Sequence, residues 1–269
     1  MGNIDQIILS CNEDETYSSF WKPVAYAYSK MFPDVTVHLA FVTNRGEDDP
    51  LVQEYRKYGK VTLFKPYSHF PEFGQAKMAR FVLASMQGDD VCYVDDIDLF
   101  PLRKDFITDK TSERPKDHLL CVGGEVYGNN GCFPVSQMTA EGYIWKKFIN
   151  PESLDFHNLI EWYWKLPTKY SINENIGVIN NFAVNNFFSD EALIYKLRSM
   201  NPVNIYEMKR GYNQGDLLNV TLDRCDWKMN EERLKEHKYV NAHGIRPYSA
   251  YVKEYEPLMN YIDENYCTK

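Results

Sequence analysis

The sequence predicts an α/β protein whose sheet is mainly parallel and flanked by helices. Three observations carry this. Short apolar runs alternate with segments of helical spacing through the first hundred residues, the pattern of strands separated by helices. At 269 residues and 44% hydrophobic content, the chain is large enough to bury a core of its own. It contains no internal repeat, low-complexity stretch or linker, so a single domain is expected, with a ligand-binding half over about 1–100 and a second half over about 101–269.

Residues 6–11 form a short apolar run ending in polar residues, as a buried strand does. Between Thr16 and Phe32, Phe20, Val24, Tyr28 and Met31 recur at helical spacing, and Pro33 marks the exit. Residues 35–43 read as a second strand, 50–58 as a short helix and 61–65 as a third strand. From Gln75 to Met86 a helix is expected with Met78, Phe81, Val82 and Ser85 along one side, closing at Gly88. Residues 90–95 are the fourth strand. In the second half, 119–124 reads as a strand, and Tyr127-Gly-Asn-Asn-Gly131 has the composition of a loop. Helices are expected over 139–149, 155–166 and 190–200, the last with Ser189 as its cap.

Charge and thiols narrow the function. The net charge is −8 with no cluster of Lys and Arg, which excludes nucleic acid as the main partner, because a phosphate backbone needs a concentrated basic face. A local nucleotide site remains compatible with it. The 20 Tyr and 15 Phe suit sugar-packing surfaces, although most are expected in the core. Residues 1–10 lack a signal-peptide pattern, Gln6 stands where a myristoylation signal has Ser or Thr, and no run of about 18 apolar residues marks a membrane span. The six cysteines form no CxxC pair, and Cys92 and Cys121 lie in strand-like runs. Free thiols and a cytoplasmic location are therefore expected, and the Asn219-Val220-Thr221 sequon is read as chance.

The chemistry is concentrated at the end of the fourth strand, Tyr93-Val94-Asp95-Asp96-Ile97-Asp98-Leu99-Phe100-Pro101. Parallel α/β sheets bind ligands outside the carboxyl ends of their strands. Three carboxylates in four residues repel one another unless something compensates them. In extended chain, Asp96 and Asp98 would leave on the same side, about 7 Å apart. Such a pair suits a hard divalent ion, Mg²⁺ or Mn²⁺, and a departing diphosphate needs its developing charge neutralised. A solvated acidic loop is the plain alternative, but apolar residues hold this segment on both sides.

Strand, Asp-x-Asp and apolar exit together resemble the GT-A glycosyltransferases, enzymes that transfer a sugar from a nucleoside-diphosphate donor. The resemblance implies a GT-A, Rossmann-like fold, an NDP-sugar donor with UDP-sugars favoured, and a glycan or glycoprotein hydroxyl as acceptor. By the same resemblance Asp96 approaches the ribose and metal, Asp98 binds the metal, and Asp95 contacts the donor sugar. Lys77 and Arg80, three apart on the preceding helix, match the family's basic residues that reach donor sugar or diphosphate. Tyr239-Val-Asn-Ala-His243-Gly-Ile-Arg246 is similar to the family's C-terminal segment, which implies His243 as third metal ligand and Arg246 as diphosphate contact. Charge balance agrees with this, since several carboxylates and a diphosphate outweigh one divalent ion. Asp190 or Glu191 is the implied acceptor-side base, although charge at a helix start explains that pair equally well. The loop 127–131 is placed beside the donor sugar.

Three other readings are weaker. A haloacid-dehalogenase-like phosphatase carries its Asp-x-Asp after the first strand, and here it lies nearly a hundred residues in. A nucleotidyltransferase would be expected to show a Gly-rich, Lys-bearing loop near the N-terminus, and none is present. An inactive carbohydrate-binding protein has no reason to keep three carboxylates together with His243.

Overall fold

The structure, a computed structural model, describes residues 4–123, 133–165, 190–201, 203–209 and 220–266. The four expected N-terminal strands form: β1 (Gln6–Cys11), β2 (Thr36–Val42), β3 (Lys60–Phe64) and β4 (Val91–Val94). Between them lie α1 (Glu15–Ser18), α2 (Trp21–Met31), α3 (Pro50–Tyr55) and α4 (Glu72–Ser85). Thr16–Phe32 is thus not one helix but two. Asp14 caps the first through Thr16 N–H, at 2.9 Å. The second restarts at Trp21, which places Pro23 in its first turn, where a missing N–H costs nothing.

The second half adds β5 (Leu99–Pro101), α5 (Lys104–Ser112), β6 (His118–Val122), β7 (Met138–Glu141), α6 (Gly142–Ile149), α7 (Phe156–Lys165), α8 (Asp190–Met200) and β8 (Asn204–Met208). It closes with β9 (Thr221–Leu222), α9 (Glu231–Lys235), β10 (Asn241–His243) and α10 (Val252–Tyr266). The segment expected as a helix over 139–149 begins as strand β7, because Met138–Glu141 are all buried and pair antiparallel with β4. Cross-strand pairing there overrides helical spacing.

The main sheet has seven strands in the order β3-β2-β1-β4-β7-β6-β8. Pairings within β3-β2-β1-β4 and between β6 and β8 are parallel, and β7 is antiparallel to both its neighbours. A three-stranded sheet, β5-β10-β9, stands beside it. Strands β1 and β4 are neighbours from which the chain departs in opposite directions, so a switch point, the preferred ligand site of such sheets, lies at their carboxyl ends.

Both faces of the sheet are covered. On β1, Ile7, Leu9 and Cys11 face one core cluster with α2 and α10, while Ile8 faces the other with α4, α6 and α7. This is why β1 reads as a continuous apolar run. Cys11, Cys92 and Cys121 are buried free thiols and Cys225 is exposed, whereas Cys132 and Cys267 lie outside the described residues. Burial pushes the Cys11 and Cys92 thiols up. Among the described residues, no helix is long and apolar enough to cross a membrane.

Candidate active site

The acidic segment follows β4 directly, at the switch point. It is not extended as the sequence suggests. Leu99 N–H donates to the Asp96 carbonyl at 3.2 Å, so residues 96–99 form a turn that sends the three carboxylates to different partners. Asp95 turns inward and is almost fully buried. Tyr28 donates its hydroxyl to Asp95 Oδ2 at 2.6 Å, and Asp96 N–H donates to Oδ1 at 2.9 Å. Burial, helped by neighbouring Asp96, pushes this carboxyl up to about 7. Asp95 thus shapes the turn from within, rather than facing a donor sugar as the resemblance implies.

Asp96 faces α4. Arg80 is buried on that helix, donating to the Asp95 carbonyl at 3.0 Å, to Asp96 Oδ1, and to Asp190 Oδ2 at 2.8 Å. One turn earlier, Lys77 reaches Asp190 Oδ1 at 3.3 Å. Burial works against the Arg80 charge, and Asp96 and Asp190 more than restore it. Four of the predicted residues, Lys77, Arg80, Asp96 and Asp190, therefore form one ion-pair cluster joining α4, the β4 turn and the start of α8. Both oxygens of Asp190 are engaged by cations. Glu191 is half-buried, and its carbonyl accepts from Phe133 N–H at 3.0 Å.

Asp98 faces the small sheet. His243 pairs with Leu99 across β5 and β10, and Gly244 N–H donates to the Asp98 carbonyl at 2.8 Å. That register brings His243 Nε2 within 3.4 Å of Asp98 Oδ2. Arg246 Nε donates to the same oxygen at 2.6 Å, and its Nη2 lies at 2.5 Å. Burial favours the neutral acid, but His243 and Arg246 hold the Asp98 carboxyl below its ordinary range. Arg246 is itself clamped by Tyr17, whose ring centroid lies 4.4 Å from the guanidinium carbon and whose hydroxyl accepts from Nη1 at 2.7 Å.

Two further residues complete this cluster. Arg224 Nη1 lies 3.0 Å from Asp98 Oδ2 and 2.5 Å from His243 Nε2. Asp223 Oδ2 lies 3.7 Å from His243 Nδ1. His243 holds Asp223 down at about 2. Burial disfavours charge on His243, but Asp223 and Asp98 outweigh it and push the ring up to about 10. The Arg224 contact opposes that shift, since it needs a lone pair on Nε2. A proton and an Arg224 N–H therefore compete for one lone pair, and the two carboxylates make the upward direction the dominant one.

The donor chemistry fits a hard or borderline divalent ion in part. Asp98 and His243 converge on one point, and Asp223 stands behind the imidazole as the outer carboxylate that orients metal-binding histidines. Asp96 instead faces Arg80, and among the described residues no three His, Cys, Asp or Glu side chains are gathered to hold an ion. The guanidinium of Arg224 stands between Asp98 and His243, and the positive charges there are balanced by Asp98 and Asp223.

Tyr17, Asp223 and Arg224 are absent from the sequence reading. Tyr17 sits in a helix of four residues and Asp223 and Arg224 follow a strand of two, too short for periodicity to single out. The loop 127–131, the cap Ser189 and Asn219 lie outside the described residues.

No protein-family model and no curated protein sequence matches the chain. Its fold matches the galactosyltransferase LgtC, solved with donor and acceptor sugar analogues, at a TM-score of 0.51 and 10% identity over 98% of this chain and 97% of that chain. A putative nucleotide-diphospho-sugar transferase from Desulfovibrio desulfuricans G20 aligns at a TM-score of 0.43 and 8% identity, over 96% of this chain and 98% of that one. The glycosyltransferase GlyE of Streptococcus pneumoniae TIGR4 aligns at 0.46 and 12%, over 77% of this chain and 45% of that one. Scores this low decide nothing for the last two, and at such identity the first decides the fold alone. The chain therefore has the GT-A fold, a seven-stranded mixed, mostly parallel sheet between helices.

Proposed function

We propose that this chain is a metal-assisted glycosyltransferase that moves a sugar from a nucleoside-diphosphate donor to a hydroxyl of a glycan or glycoprotein, with a UDP-sugar as the favoured donor. The observation that carries this reading is the acidic turn at the switch point, from which Asp98 meets His243 and Arg246 across the small sheet. In such a transfer the bond from the anomeric carbon to the diphosphate oxygen breaks and the nucleotide leaves with the electron pair. The acceptor oxygen forms the new bond and its proton passes to a base. Mn²⁺ or Mg²⁺, bound by Asp98 and His243 with Asp96, would neutralise charge on the leaving diphosphate.

The chain's own residues supply the rest. Arg246 is preorganised by Tyr17 and presents a planar fork suited to phosphate oxygens. Lys77, Arg80 and Asp190 form a rigid polar wall beside the turn, suited to orienting the hydroxyls of a donor sugar. Both oxygens of Asp190 already accept from cations, which favours holding over proton abstraction; Asp190 and Glu191 remain the two acceptor-side base candidates.

Titration with UDP, GDP, CDP and dTDP in the presence of Mn²⁺, followed by hydrolysis of the matching sugar nucleotide, tests this reading. One nucleoside diphosphate should bind more tightly with Mn²⁺ than in chelator, and its sugar nucleotide should be cleaved slowly. Binding of none of the four in Mn²⁺, with phosphate released from a phosphomonoester, would point to a phosphatase.

A further inference from the structure

We propose that Tyr67, His69 and His157 form a subsite for the acceptor carbohydrate, with the Tyr67 ring packed against the C–H face of a pyranose. This rests on the transferase reading above. Tyr67 lies in the loop between β3 and α4, and His157 is the second residue of α7. The Tyr67 ring centroid is 5.1 Å from that of His69 and 5.4 Å from that of His157, the second pair inclined by 31°. Two distant stretches of chain thus bring three rings with polar edges together, Tyr67 and His157 half-buried and His69 exposed. The neighbouring Phe70 and Phe156 pack against the core, whereas Tyr67 joins neither core cluster. Core packing therefore accounts for the two phenylalanines but not for Tyr67.

The rings are held in place before any ligand arrives. Buried Gln75 accepts from Tyr67 N–H at 2.8 Å and donates to the Tyr67 and Phe70 carbonyls at 2.8 and 2.9 Å. His157 Nε2 lies 2.9 Å from the Lys65 carbonyl oxygen, which can only accept, so Nε2 carries the hydrogen. Nδ1 of the neutral ring is then left to accept from a sugar hydroxyl. Fixed aromatic faces with polar edges match a pyranose, which has apolar C–H faces and hydroxyls around its rim, and fixing them beforehand lowers the ordering cost of binding. Position selects the acceptor. Gln75 is two residues from Lys77, about 3 Å along α4, and Lys77 reaches Asp190, one of the two base candidates for the acceptor hydroxyl. Arg246, whose fork suits the diphosphate, approaches the acidic turn from the small sheet instead. Charge agrees with this placement. Glu72 opens α4 beside the loop, and burial, with Glu13 nearby, pushes its carboxyl up, so these surroundings favour a neutral sugar over a phosphate.

The test uses the full chain with ¹³C-labelled histidine, whose six residues give few ring signals in nuclear magnetic resonance, assigned with His69→Gln and His157→Gln. The methyl glycosides of glucose, galactose, mannose and N-acetylglucosamine are titrated in Mg²⁺, with and without UDP. At least one glycoside should move the His69 and His157 signals. Tyr67→Ala should weaken that binding by about tenfold, and Tyr67→Phe, which keeps the ring, by less than about threefold. Circular dichroism verifies that both variants fold. In transfer to the same glycoside, Tyr67→Ala should raise the acceptor KM by a similar factor. If no glycoside moves either signal, or if folded Tyr67→Ala binds it as wild type does, the subsite is not there. UDP moving these two signals in place of a glycoside would make the cluster a nucleotide contact and overturn the assignment as well. Failure of the transferase reading shows separately, as none of UDP, GDP, CDP and dTDP moving the His243 signal. A glycoside held at Tyr67 would then mark a carbohydrate-binding protein and not an acceptor subsite.

Discussion

The three Asp residues of one turn do different work because their surroundings differ. Asp95 is a buried carboxyl bonded to Tyr28, Asp96 pairs with a buried arginine, and Asp98 is the acceptor for two partly exposed ones. Asp98→Asn should abolish Mn²⁺-dependent transfer. It should lower stability by only about 1–2 kcal/mol, since Arg224 can turn to water and Arg246 keeps its contacts with Tyr17. Turnover in Mn²⁺ and urea unfolding check the two halves, and near-normal turnover with an unchanged metal titration would sink the central reading. Asp223→Asn removes the carboxylate behind His243 and should weaken Mn²⁺ binding by roughly 10- to 100-fold without a direct contact to the ion. Arg246→Ala should weaken nucleoside-diphosphate affinity by about ten- to a hundredfold, with metal uptake largely retained, as isothermal titration would show.

At the scale of elements, the site depends on close approaches that only particular residues permit. A Cβ on Gly244 would lie 2.4 Å from Phe20 Cε1 and 2.6 Å from the Tyr255 hydroxyl. Both rings are buried, so Gly244→Ala should push the end of β10 away from β5. We expect a loss of about 1–3 kcal/mol in urea unfolding, together with weaker Mn²⁺ uptake, because His243 is the preceding residue. Strand β2 carries an unrelated sensor of pH. His38 is buried between Gln6 and Thr62, with ring nitrogens 2.9 and 2.8 Å from their oxygens, and burial, aided by Lys60, holds it down at about 3. The unfolded chain binds this proton near pH 6.5 and the native chain does not. The His38 contribution is therefore intact above about pH 6.5 and is lost as pH falls toward 3, on the order of 4–5 kcal/mol when complete. His38→Gln should flatten that slope in chemical denaturation measured between pH 7 and pH 4. An unchanged slope would assign the acid sensitivity to other groups.

At the scale of the whole molecule, the C-terminal helix ties the second half to the first. On α10, Tyr255, Leu258, Tyr261 and Ile262 are buried in the cluster that also holds Phe20, Trp21 and Tyr28. Tyr255 donates its hydroxyl to the Ile245 carbonyl at 2.7 Å, one residue before Arg246. Fully burying four such side chains stabilises by roughly 6–12 kcal/mol, comparable with the total stability of a domain. Truncation after residue 247 should therefore abolish cooperative unfolding rather than merely inactivate the site. A truncated chain that melts as sharply as the full one would show that this helix is an appendage.

The first half of the sheet and the position of its chemistry are legible in the chain alone. The apolar runs at 6–11, 35–43 and 90–95 are strands buried on both faces, which leaves a continuous apolar signature that survives without any partner, and 61–65 is the half-buried edge strand beside them. The acidic cluster Asp95–Asp98 was legible for the complementary reason, since charges wedged between apolar runs stand out against either pattern. The Lys77–Arg80 spacing likewise announced a shared helix face. How these groups are partnered is set by the fold. Asp96 and Asp98 are two residues apart, and the turn at Leu99 rather than their spacing sends one to Arg80 and the other to His243. Strands β5, β9 and β10 have two or three residues each, too few to carry a period, and exist because they pair with one another. That pairing, between segments more than a hundred residues apart, is what puts Asp223, Arg224, His243 and Arg246 around one carboxylate. A long-range register has no local trace in the chain, because the energy that selects it comes from the partner strand.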